Sequence, residues 1–169
     1  MCEKVCMLNQ TINVSENEKG IAYACINMSE EERMKSSSGG VFTLLAKYVL
    51  AGDGKVYGAA FNKERMVCHQ GIDDVSDLKR VQGSKYMQSN KGHVFIRIKQ
   101  DLKDGKIVLF SGTPCEVIGL KNYLGKEYEN LICVDVVCHG VPSPLVWREY
   151  IAYIEKIVGK PRDRVSNRT

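Results

Sequence analysis

Ser111-Gly112-Thr113-Pro114-Cys115 separates the apolar run Lys106-Ile107-Val108-Leu109-Phe110 from Glu116-Val117-Ile118-Gly119-Leu120-Lys121-Asn122-Tyr123-Leu124. The run before it is short, apolar and bounded by turn residues, as a buried strand is. Thr113 suits a helix N-cap, and Pro114 suits the first helical position, where a missing N–H costs nothing. The segment after it reads as a helix that ends at Gly125. Cys115 therefore falls in the first helical turn. Unpaired N–H groups and the helix dipole there favour an anion or a thiolate.

Downstream, Asn130 to Val137 is a second apolar strand, rich in Val and Ile. Strand, helix and strand joined by short links make a βαβ unit, so the two strands should be parallel. Their C-terminal ends then share one sheet edge, the edge where open α/β folds bind ligands. Cys115, Cys138, Gly112, Thr113 and His139 all emerge there. A final helix is predicted over 144–158, with Trp147, Tyr150, Ile151 and Ile154 at helical spacing, a stripe of the kind that packs into a core.

Upstream, His93 to Leu102 reads as an amphipathic helix closed by Asp104-Gly105. Asp73 to Arg80 reads as a short polar helix. Lys55 to Phe61 and Arg65 to Ile72 form a hairpin across Asn62-Lys63-Glu64, and His69 in its second strand reads as structural. Val41 to Ala51 is a mostly buried helix. The expected fold is α/β: an open, largely parallel mixed sheet flanked by helices, with an adjoining β-hairpin. Residues 36–158 form the domain. Residues 1–35 are an irregular N-terminal segment in which Ser29-Glu30-Glu31-Glu32 resembles a capping box. Residues 159–169 are a basic, polar tail.

The 169 residues suffice for one domain with a core. Apolar residues are 44% and charged residues 26%, the balance of a soluble globular protein. No apolar run approaches the ~20 residues that span a bilayer, and Met1-Cys2-Glu3-Lys4-Val5-Cys6 does not open a signal peptide. A cytoplasmic location and no membrane span are expected. The net charge of +4 collects near the end, at Lys160, Arg162, Arg164 and Arg168. No aromatic interleaving accompanies it, so nucleic-acid binding is not expected.

Seven cysteines without a secretion signal point to thiols or metal rather than a disulfide framework. Cys68 and Cys133 sit in strand patterns and read as core. Cys2 and Cys6 have the spacing of the last two cysteines in a C-x2-C-x2-C-x3-C-P cluster run, with Met7 where the proline belongs and the first two cysteines absent. Two thiolates cannot close a four-ligand cluster, and a remnant of a ferredoxin-like module is one reading of residues 1–35.

Two further stretches invite chemistry. Ser36-Ser37-Ser38-Gly39-Gly40 precedes the helix at Val41, where glycines admit a ligand to the backbone and hydroxyls supply donors. A phosphate cradle and a flexible polar entry to a core helix are both consistent with that spacing. Gly83-Ser84-Lys85-Tyr86 combines a lysine able to hold a phosphate with a tyrosine able to stack on a planar ring. An ordinary surface loop is the alternative.

Five pieces occur in one order: Ser36-Ser37-Ser38-Gly39-Gly40-Val41-Phe42, Val56-Tyr57-Gly58-Ala59-Ala60-Phe61, Gly83-Ser84-Lys85-Tyr86-Met87-Gln88-Ser89, Ser111 to Cys115, and Cys138-His139-Gly140-Val141-Pro142-Ser143-Pro144. In these the chain resembles the beta-subunit family of coenzyme F420 hydrogenase and dehydrogenase over roughly residues 20–155. The resemblance implies an oxidoreductase that binds FAD and a 4Fe-4S cluster and passes electrons to a diffusible acceptor, with coenzyme F420 as one such substrate. It makes Ser36 to Gly40, Gly83 to Tyr86, Gly112, Thr113, His139 and Gly140 candidates to hold flavin. It makes Cys115 and Cys138 candidate cluster ligands, with Cys2 and Cys6 as weaker ones. It also implies a ferredoxin or cluster-bearing subunit as electron partner, leaves an oligomer open, and suggests a chain truncated at both ends, corresponding to the N-terminal half of the family domain. Two other functions remain: a Cys-His thiol enzyme built on Cys115 and His139, and a non-catalytic fragment that binds a partner.

Overall fold

The structure, a computed structural model, describes residues 21–159. Cys2, Cys6 and nearly all of the basic tail lie outside the described residues. A short helix α1 (Glu30–Met34) precedes α2 (Val41–Ala51), the hairpin strands β1 (Lys55–Phe61) and β2 (Val67–Ile72), a 3-10 turn (Val75–Asp77) and α3 (Leu78–Val81). Then come α4 (Val94–Lys103), β3 (Val108–Gly112), α5 (Pro114–Leu124), β4 (Leu131–Asp135) and α6 (Pro144–Val158).

The sheet order is β2-β1-β3-β4. β1 pairs antiparallel with β2 and parallel with β3, and β3 pairs parallel with β4. This is the expected open, largely parallel mixed sheet with a hairpin at one end. Side-chain alternation sorts the core into two layers. Val56, Ala60 and Leu109 pack under α2 and α3. Tyr57, Val108 and Phe110 pack under α4 and α5. Val108, Leu109 and Phe110 are fully buried, as a central strand covered on both faces should be.

The structure moves some of the boundaries read from sequence. β3 begins and ends two residues later than the apolar run, because Ser111 and Gly112 stay in the ladder opposite Val134 and Asp135. The predicted turn is thus half strand, and the chain leaves the sheet at Thr113. β4 is shorter than expected, and Val137, beyond its end, is 90% exposed. Asp73 to Arg80 splits into the 3-10 turn and α3, with Asp74 Oδ1 accepting from the Ser76 N–H at 2.6 Å and tightening the start.

The stripe on α6 is a correction. Trp147 is buried, donating from its indole N–H to the Arg65 carbonyl at 3.0 Å and lying near Phe61. Tyr150 is exposed, and Ile151 and Ile154 are only half-buried. Helical spacing marks a face but cannot say how wide the opposing surface is. Here the surface beneath α6 is narrow, made by the hairpin and Met87.

Candidate functional site

The two parallel pairings place the ends of β1, β3 and β4 on one sheet edge. α2 runs back toward the start of β1, so its N-terminus lies at that same edge. Residues 36–40, the turn after Gly112 and the segment after Asp135 therefore share it. Cys115 follows the end of β3 and Cys138 the end of β4, and both are exposed.

The two ligand-loop candidates meet. Ser37 Oγ accepts from the Ser84 N–H at 2.8 Å, tying residues 36–40 to residues 83–86. Gly40 and Gly83 both adopt positive φ, +76° and +78°, which other residues adopt only with strain. Gly39 is needed for a different reason: a Cβ there would sit 2.8 Å from the Cys25 carbonyl oxygen. Residues 25–27 lie over the loop, with the Asn27 N–H on the Gly39 carbonyl at 2.6 Å.

The helix N-termini at this edge differ in how they are satisfied. α5 is capped by its own acid: Glu116 Oε2 accepts from the Thr113 N–H at 2.9 Å. Gly112 permits this, since a Cβ there would meet that oxygen at 2.7 Å. A carboxylate thus already occupies the anion position that the dipole creates. α6 is capped by Ser143, whose hydroxyl accepts from the Val146 N–H at 3.3 Å. α2 has Gly40 at its N-cap and no side-chain cap. Its first-turn N–H groups remain for an outside acceptor. Beside Gly40, the Asn27 side chain is buried, and its Nδ2 has no hydrogen-bond partner among the described residues. An uncapped helix start, a buried spare donor and exposed Ser37, Ser38 and Ser84 are chemically suited to a phosphate.

Lys85 is less free than its sequence suggests. Its ammonium donates to the carbonyls of Gln82 at 2.6 Å, Gly83 at 3.0 Å and Arg80 at 3.4 Å, closing the end of α3. Burial pulls it down to about 8. Acetic anhydride labelling followed by mass spectrometry should show Lys85 titrating near that value, against ~10.4 for an ordinary lysine. An ordinary titration would mean that the loop does not enclose it. Tyr86 is exposed.

His69, Lys91 and Glu116 form the polar network that sequence reasoning missed. The His69 ring contacts Ser89 Oγ at 2.7 Å through Nδ1 and the Ser111 carbonyl at 3.0 Å through Nε2. A carbonyl only accepts, so Nε2 carries the proton and the Ser89 hydroxyl donates to Nδ1. Lys91 Nζ donates to Glu116 Oε1 and, at 3.0 Å, to the Ser89 carbonyl. Burial would raise the Glu116 carboxyl, but the Lys91 hydrogen bond and charge outweigh it and hold it below the ordinary range. The Thr113–Glu116 spacing was the readable part of this network. The rest depends on contacts distant in sequence.

The candidate metal ligands do not gather. Among the described residues no group of three His, Cys, Asp or Glu side chains is placed to hold a metal ion. Cys115 contacts Thr113 Oγ1 at 3.1 Å. No hydrogen bond joins it to His139, which like Gly140 is exposed. Residues 21–159 therefore do not fit a complete four-thiolate cluster site by themselves.

Residues 105–165 match the family model for the C-terminal region of the beta subunit of coenzyme F420 hydrogenase/dehydrogenase. Over those residues the chain is similar to that beta-subunit family. This segment begins just after α4 and runs through α6, so it includes the β3–α5–β4 unit and both candidate thiols. Among solved structures, a chain of the F420-reducing NiFe hydrogenase complex from Methanosarcina barkeri, studied by xenon derivatization, superposes with a TM-score of 0.56 at 16% identity. The match covers 86% of this chain and 55% of that one, so the beta-subunit-like chain spans about half the neighbour's length. At that identity the likeness is one of fold. No curated protein matches. Among the described residues no helix is long and apolar enough to cross a membrane.

Proposed function

We propose that this beta-subunit-like chain forms part of a flavin-dependent electron-transfer protein, in which FAD exchanges electrons between an iron-sulfur partner and a diffusible acceptor such as coenzyme F420. The observation that carries this reading is the union of residues 36–40 with residues 83–86 through Ser37 and Ser84, at the uncapped start of α2. These are the stretches that the family resemblance gives to the cofactor. In this reading the α2 N–H groups, Ser37, Ser38 and the Asn27 amide hold flavin phosphate, Tyr86 lies against the ring, and Gly83 keeps the backbone close. Bound flavin would supply the conversion between one-electron and hydride chemistry. In the same reading Gly112, Thr113, His139 and Gly140 complete the flavin site. Cys115 and Cys138 contribute at most two thiolates to a cluster, and a ferredoxin or another cluster-bearing partner supplies the remainder.

Anaerobic reconstitution with FAD, iron and sulfide, with bound flavin and iron quantified, tests this. Flavin retention lost in Ser37→Ala with Ser84→Pro, and iron retention lost in Cys115→Ala, is the expected result. A chain that retains neither group when a cluster-bearing partner is present would sink the proposal. The thiol-enzyme reading lacks a supporting contact between Cys115 and His139.

A further inference from the structure

A groove of about 690 Å³ lies between β2, residues 87–91 and the start of α6. That is the size of a small-molecule site. None of the residues named above for flavin or cluster lines it. We infer that this groove binds a singly charged aromatic anion, with Arg148 as its anion contact and the methionine floor as its ring contact.

The walls differ in chemistry. Met66, Met87 and Cys68 line one part, and thioether sulfur makes favourable contacts with aromatic rings. Met87 is buried, and the 87–91 segment is fixed by bonds from the His69 N–H to the Asn90 carbonyl and from the Asn90 N–H to the Val67 carbonyl, both 2.9 Å. The floor is therefore built rather than a loose loop. The polar wall begins at Ser89. Because its hydroxyl proton is committed to His69, it offers lone pairs and not a donor.

Charge narrows the ligand further. Lys91 lines the groove but is largely neutralised by Glu116. Arg148, one turn into α6, makes no hydrogen bond or ion pair among the described residues, and its guanidinium is the uncompensated cation of the site. A guanidinium fork matches a carboxylate or phosphate. Glu64 on the same rim opposes a second or third negative charge. The balance suits one anionic group on an apolar ring. The site does not require flavin or iron to be bound, so it stands or falls apart from the proposed function.

Amide NMR shifts on the full chain, titrated with 2-naphthoate and with neutral 2-naphthylmethanol, test it. Naphthoate should shift residues 87–91 and 145–148, and the alcohol should bind at least ~10-fold more weakly, the usual scale for one charge-assisted contact. Arg148→Ala should weaken naphthoate by a similar factor, and Arg148→Lys should recover part of it. Arg148 is exposed, so the spectrum of the variant should otherwise match the wild type. Shifts scattered over the exposed faces of α6 and β4, equal binding of the two probes, or an Arg148→Ala variant with wild-type affinity would each overturn the inference.

Discussion

Phe110→Ala is expected to cost about 3–5 kcal/mol of unfolding free energy, the range for truncating a fully buried aromatic. Phe110 has no exposed surface and sits midway along β3, paired with Tyr57 on one side and Cys133 on the other. Its ring stacks on His69 at 5.2 Å and meets Phe95 edge-on at 6.0 Å. Such pairs add about 0.5–1.5 kcal/mol to the burial of area. The residues around it belong to strands and helices packed from both directions, so the cavity cannot collapse cheaply. A domain of this size has about 5–15 kcal/mol in total, so the variant should approach the edge of folding. Phe110→Leu keeps most of the volume and should lose about 1.5 kcal/mol or somewhat more. Urea unfolding followed by circular dichroism measures both. A loss below about 1 kcal/mol for the alanine variant would mean that β3 is not the centre of the folded protein.

The same strand shows which parts of the structure could be read in advance. Thr113 and Pro114 announce the start of α5 because capping and proline chemistry act within one turn, and the structure starts α5 at Pro114. The parallel pairing of β3 and β4 followed from a connection too short for anything but one crossover helix. The hairpin was legible from Asn62-Lys63-Glu64, and the Asn62 side chain indeed closes it by accepting from the N–H groups of Glu64 and Met66 at 3.0 and 2.9 Å. The His69 network was not legible. Its partners lie 20 and 42 positions away, and nothing local to residue 69 names them. Nor was the division of labour among helix starts. The starts at Thr113 and at Gly40 both looked like anion sites until the structure showed Glu116 satisfying the first.

His69 should make the protein lose stability on acidification. Its side chain is fully buried, and burial, with Lys91 adding to it, lowers its pKa from 6.5 to about 4. Glu116 acts the other way but does not reverse the shift. The unfolded chain takes up this proton below about pH 6.5 and the native protein only below about pH 4. Between those values the unfolded state binds more protons, so stability falls as pH falls. The stabilisation is fully present above pH 6.5, and about 3 kcal/mol of it should be gone by pH 4, at 1.36 kcal/mol per unit. Lys91 from the 87–91 segment, Glu116 from α5 and Lys85 also face the ring. Glu116, held below its ordinary range, destabilises in the same direction when protonated, so wild-type data alone cannot isolate the histidine. His69→Gln supplies the comparison, since an amide can still accept from Ser89 and donate to Ser111 but does not titrate in this window. Urea unfolding of both proteins at steps from pH 7 to pH 4 should give curves that converge as pH falls. Parallel curves would mean that His69 is already accessible to protons in the native state, and the neutral ring could not then be what fixes residues 87–91 against the turn that carries Cys115.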